Sequence, residues 1–131
     1  MLDINKNTAD VQETKQYEIV RPFDEAQIED HAAKCGGRRL LKVIEVTTDD
    51  DYQFHYLVKR PSRAVLTAIA EKKKGNGNTA EMDVAAIEKL MLGLVLEGDR
   101  SALDNDGAIS GQLLKKLGGL VSSATSEIKK I

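Results

Sequence analysis

The sequence predicts an α+β protein, in which a β-hairpin packs against a small bundle of three to four helices and the last helix is long. Three observations carry that prediction. Tyr52, Phe54, Tyr56 and Val58 alternate with Gln53, His55, Leu57 and Lys59, the two-residue period of a half-buried strand. An apolar run from about Leu40 to Thr47 precedes them across the acidic turn Asp49-Asp50-Asp51. Towards the end of the chain, Ile109, Leu113, Leu117, Leu120, Ala124, Ile128 and Ile131 recur in helical steps along one face. A lone hairpin is marginal in water, so neighbouring helices must cover its apolar side.

With 131 residues the chain is the size of one domain. Residues 1–16 are polar and aperiodic and read as a flexible tail. Residues 17–131 read as a single α+β domain, with the hairpin at about 40–60 and the helical part at about 62–131. The net charge of −2 lacks the basic excess of a general nucleic-acid binder. No apolar run is long enough to span a bilayer, and the first residues lack the basic-then-apolar order of a secretory signal. The single cysteine, Cys35, fits a reducing cytoplasm.

In chain order, residues 17–20 read as a short strand or a tether. Phe23 to Gly37 then reads as a helix. Asp24 is placed to cap it, with Gln27 as capping-box partner, Phe23 and Ile28 as a hydrophobic staple and Gly36 as a left-handed stop. The second strand ends at Arg60 because Pro61 donates no ladder hydrogen bond. Ser62 caps a helix to about Lys73, with Val65, Leu66 and Ile69 expected to face the sheet. Lys72 to Asn78 reads as a loop, and Asn78 with Glu81 as the restart of a helix over about Thr79–Glu97. Val84, Ile87, Met91, Leu94 and Val95 form that helix's main stripe, and Gly98-Asp99 ends it. The last helix spans about Asp106 to Ile131. Gly111, Gly118 and Gly119 in it predict either close approach of another backbone or a kink or break at the glycine pair.

Chemical motifs are weak. If Gly107 is the sharp-turn glycine of a calcium loop, Asp104 and Asp106 fit, but Ala102 and Leu113 stand where the first carboxylate and the bidentate Glu are required. The plainer reading is a turn with Asp106 capping the last helix. The Gly75–Asn78 stretch has neither a leading strand nor a following Lys-Ser/Thr pair, which excludes a P-loop. His31 and Cys35 share a helix face, but only His55 is left as a further histidine, short of a zinc site. Cys35 is therefore expected to be buried and His31 exposed. Lys72-Lys73-Lys74 reads as a complement to the helix dipole. No nucleophile elbow accompanies either histidine. The residues point to no catalytic site, cofactor or metal, and hence to a non-enzymatic protein.

The order of parts resembles small phage tail assembly chaperones. The resemblance covers about residues 35–131: Gly36-Gly37 after a short helix, an apolar strand, an acidic turn, an aromatic strand closing on Lys59-Arg60-Pro61-Ser62-Arg63, an apolar helix ending in Glu97-Gly98-Asp99, and a last helix ending in Glu127 to Ile131. The chain departs from similar proteins in its extended N-terminal segment and its aliphatic Leu94-Val95-Leu96. The resemblance implies a cytoplasmic protein of a bacterial host cell that binds a helical phage structural protein, of tape-measure or tail-tube type, without nucleic acid, membrane, cofactor or turnover. The partner groove is expected on the last helix, at Leu113, Leu117, Val121 and Ile128. Against this stands the reading of the same seam as the domain's own core. The alternative function is a structural component of a virion or regulatory complex that self-associates through the last helix as a homo-oligomer.

Overall fold

The computed structural model describes residues 16–74 and 83–130 and, within them, all side chains but those of residues 74 and 125–130. It is an α+β fold built on one central strand. β1 (Glu18–Val20), β2 (Leu41–Thr47), β3 (Tyr52–Lys59) and β4 (Val95–Glu97) form one sheet, with α1 (Glu25–Cys35), α2 (Arg63–Lys74), α3 (Val84–Leu92), α4 (Arg100–Asn105) and α5 (Gly107–Lys130) around it. β2 runs antiparallel along the whole of one edge of β3, from Leu41 opposite Lys59 to Thr47 opposite Gln53. β1, parallel at Tyr52 to Phe54, and β4, antiparallel at Leu57 and Val58, share the other edge.

The hairpin turn follows from its residues. Asp51 N–H donates to the Thr48 carbonyl and Thr48 N–H to the Tyr52 carbonyl, and Asp51 itself takes the left-handed conformation at φ 67°. That is a four-residue turn closed by one left-handed residue, a role that Asp tolerates better than most side chains.

The alternation of β3 sorts its residues onto two covered faces. Tyr56 and Val58 join Ile44 and Val46 of β2 on one face, beneath Ile109, Leu113 and Leu117 of α5 and Leu103 of α4. Leu57 points the other way, onto Phe23 and Ile28 at the start of α1. A third cluster joins Ile69 of α2, Ile87 of α3 and Val121 of α5. The expectation that Ile69 faces the sheet is therefore corrected: it packs between helices, and Val65 alone of the three named residues also touches the sheet-side core.

The ends of α1 match expectation. Asp24 and Gln27 exchange side-chain-to-backbone hydrogen bonds, both 2.9 Å, and Gly36 stops the helix at φ 100°. The apolar segment before Gly98 departs from it. α3 is capped by Asp83, whose carboxylate accepts from Ala86 N–H, and it ends at Leu92. Leu94 instead accepts from Lys59 N–H at 3.0 Å, and Val95–Glu97 become a strand. The free edge of β3 beyond β1 explains this, since its N–H and C=O groups need partners. The expected restart at Asn78 and Glu81, and the Gly75–Asn78 motif, lie outside the described residues.

α4 is a further element the pattern did not foretell. Asp99 caps it by accepting from Ala102 N–H, and Asp106 ends it while accepting from Ala108 N–H at the start of α5. α5 runs unbroken through Gly118-Gly119, and a Cβ at Gly111, Gly118 or Gly119 would meet nothing within 4 Å. The predicted break does not occur, and no backbone packs into a glycine notch.

α5 also guards the sheet. Leu40 and Thr48 bond across to β3, so the odd-numbered residues between them turn their backbone groups to the outer edge of β2. Gln112 donates to the Thr47 carbonyl and Lys116 to the Glu45 carbonyl, each at 2.7 Å. Two of the four outward carbonyls of β2 are thereby capped by side chains from the neighbouring helix.

Candidate functional site

An apolar groove of about 500 Å³ runs along α2 and α3. Val65, Ala68 and Lys72 contribute from α2, Ala86, Lys89, Leu90 and Gly93 from α3 and its end, and Leu94 and Lys59 close one end. The spacing explains the shape. On α2 the lining residues fall at i, i+3 and i+7, one face of a helix, and α3 repeats the pattern from Ala86. Ala68, Ala86 and Gly93 occupy the positions where larger side chains would fill the space between the helices. The helices stay apart on this side because their other faces already meet through Ile69 and Ile87.

The groove has a charge pattern. Lys72 stands at the end where Asp83 N–H donates to its carbonyl. Lys59 stands at the other end, where its N–H donates to the Leu94 carbonyl, and Lys89 lies one turn before Gly93. No carboxylate lines the groove, and among the described residues none lies within ion-pair distance of these three lysines. A smaller hollow at Arg21, Arg38 and Lys42 is about 130 Å³, and Arg38 there is already paired with Glu25 and Glu29.

The residues expected to bind a partner lie elsewhere. Leu113 and Leu117 are fully buried and Val121 nearly so, all within the protein's own core, so a partner cannot reach them in the folded chain. The side chain of Ile128 lies outside the described residues. The seam was legible, but its occupant is the sheet together with α2 and α3.

The remaining motifs resolve into structural roles. Asp104 lies in α4 and Asp106 between two helices, and among the described residues no cluster of three or more His, Cys, Asp or Glu could hold a metal ion. His31 is half-buried, not exposed: its Nε2 lies 2.8 Å from Glu97 Oε2 and ties α1 to β4. Cys35 is half-exposed at the end of α1. His55 is buried, bonded through Nε2 to Gln53 at 2.7 Å, and its Nδ1 has no hydrogen-bond partner among the described residues. Burial pulls its imidazole below the ordinary value, with the Glu45 carboxylate opposing and Arg21 reinforcing the shift. Tyr56 is buried with its hydroxyl donating to the Asp99 carbonyl at 2.8 Å, and burial, reinforced by Asp99, pushes its phenol up to about 12. Neither group opens onto the groove.

The groove was not legible because it is made of missing side chains. The small residues on one face of α2 and α3 were the only trace, and reading residues 93–97 as helix hid the role of Gly93. Among the described residues no helix is long and apolar enough to cross a membrane. Comparison with protein-family models, curated proteins and solved structures finds no match to this chain.

Proposed function

We propose that this protein is a non-enzymatic binder that seats a helical segment of a partner protein in the groove between α2 and α3. The observation that carries the reading is the groove itself: a two-helix floor with small residues at its centre, open to a third helix. Packing a partner's apolar side chains over Ala68, Ala86 and Gly93 would complete a three-helix contact and remove exposed apolar surface from water.

The order of motifs over residues 35–131, which resembles phage tail assembly chaperones, supports the finer form of this reading. In that form the partner is a long helical tape-measure-type protein, shielded from aggregation while a tail assembles in a bacterial host. The groove takes the place of the α5 seam as the binding surface. Self-association through α5 is the weaker alternative, because Leu113, Leu117 and Val121 are already enclosed.

Co-expression with a tape-measure-type polypeptide of the same genome tests the proposal. The expected result is a soluble complex that is lost in Ala68→Phe, a substitution that fills open space and leaves thermal unfolding unchanged. A client that stays insoluble with the wild-type chain, or a complex indifferent to Ala68→Phe, overturns it.

A further inference from the structure

We infer that the groove selects an acidic amphipathic helix: one with carboxylates at i and i+7 bracketing apolar side chains at i+3 and i+4. The inference rests on the groove being a helix site and adds the chemistry of its ligand.

Length and charge together lead there. The lining of α2 runs from Val65 to Lys72, seven residues, or about 10 Å at the rise of an α-helix. The lining of α3 covers a similar span from Ala86 to Gly93. The floor thus accommodates about two turns of a bound helix, and two turns separate i from i+7. Lys72 stands at one end of that span and Lys59 at the other, with Lys89 partway along the α3 lining. Apart from these lysines the lining is Val65, Ala68, Ala86, Leu90, Gly93 and Leu94, with no other polar side chain to recognise.

A neutral apolar helix would fit the floor and leave beside it three ammonium groups that have no ion-pair partner among the described residues. A basic helix would be repelled at both ends. Carboxylates at the two ends answer Lys72 on one side and Lys59 on the other, with Lys89 adding positive charge between them, and they fix the position of the bound helix along the groove. The lysines are at the rim, so their contribution is individually small and weakened by salt. Their effect is on the choice among helices, and the floor supplies the apolar contact common to all of them.

Three synthetic helical peptides test this against the full-length chain. They share one apolar stripe and carry Glu, Gln or Lys at the two bracketing positions. Dissociation constants are measured by fluorescence anisotropy at low and at high salt. The expected order is Glu tighter than Gln by about tenfold at low salt, with Lys weakest and the spread closing as salt rises. The Lys59→Glu, Lys72→Glu, Lys89→Glu triple variant is expected to invert the order and to favour the Lys peptide. Equal binding of the Glu and Gln peptides overturns the charge inference and leaves the helix site standing. Failure of all three peptides to bind removes the helix site itself. Glu-peptide binding that survives Ala68→Phe also overturns the inference, because it places the peptide outside the groove. The wild-type peptide series decides the question even if the triple variant does not fold.

Discussion

Gly98→Ala is expected to be among the most damaging single-methyl changes in this protein. Gly98 leads from β4 into α4 at φ 145°, a conformation that L side chains rarely adopt. An added Cβ would sit 2.2 Å from Tyr56 Cδ1, 2.7 Å from Cε1 and 3.0 Å from Cγ. Comfortable carbon contacts lie near about 3.5–4.0 Å, so ring and backbone must separate by more than about 1 Å. The ring has little freedom to retreat. It is fully buried among Ile44, Val46, Val58 and Leu94, and its hydroxyl is held by the Asp99 carbonyl one residue beyond the glycine. Backbone strain of about 1–3 kcal/mol and overpacking of about 1–3 kcal/mol give a total of about 4 kcal/mol. Against a stability of about 5–15 kcal/mol for a domain, that is a large fraction. In a urea titration followed by circular dichroism it corresponds to a midpoint lowered by about 2 M for a slope near 2 kcal/mol/M. The double variant Gly98→Ala, Tyr56→Leu separates the two causes: removing the ring relieves the steric part, so the double variant costs less than the sum of the singles. A shift of the midpoint below about 0.5 M with an unchanged slope, or strict additivity in the double variant, would refute the reasoning.

Three other outcomes follow from the same contacts. The buried His55 makes stability depend on pH: the unfolded imidazole takes up a proton near its ordinary value of about 6.5, and the folded one resists until lower pH. Its contribution is therefore complete above about 6.5 and is lost as pH falls from there towards the folded value, and His55→Leu is expected to flatten that slope in urea titrations across the range. Asp24→Ala removes the capping box of α1 and is expected to cost about 1 kcal/mol, read as a lowered midpoint, with Asp24→Ser recovering most of it. Gln112→Ala with Lys116→Ala frees the Glu45 and Thr47 carbonyls at the outer edge of β2, and sedimentation velocity is expected to show concentration-dependent association absent from the wild type.

What could be read from the sequence was what short-range chemistry decides. The Asp24–Gln27 exchange spans three residues, the stop at Gly36 requires only a residue free to take positive φ, and the alternation of β3 is a property of one strand. Leu94 to Leu96 were read as helix because an apolar run has no period to separate a buried helix from a buried strand, and only the vacant stretch of β3 beside Leu57 and Val58 settles it. α4 escaped notice because six residues between Asp99 and Asp106 are too short for a face to show, and Asp104 with Asp106 imitates part of a calcium loop. The stripe on α5 was correctly seen as a buried face, but sequence periodicity does not say whether a face meets its own sheet or another molecule. The groove depends on the separation of α2 and α3 at Ala68, Ala86 and Gly93, a property of packing that no local pattern encodes.

The central claim is that the α2–α3 groove takes a helix, and amide chemical-shift mapping tests it most directly. The ¹⁵N-labelled full-length chain is titrated with the Glu-bracketed peptide. The account predicts shifts concentrated at Val65, Ala68, Ala86, Leu90 and Leu94, with α1 and the outer edge of β2 undisturbed. Shifts centred on α1 or on the exposed residues Ile19 and Val43, or no shifts at saturating peptide, would contradict it.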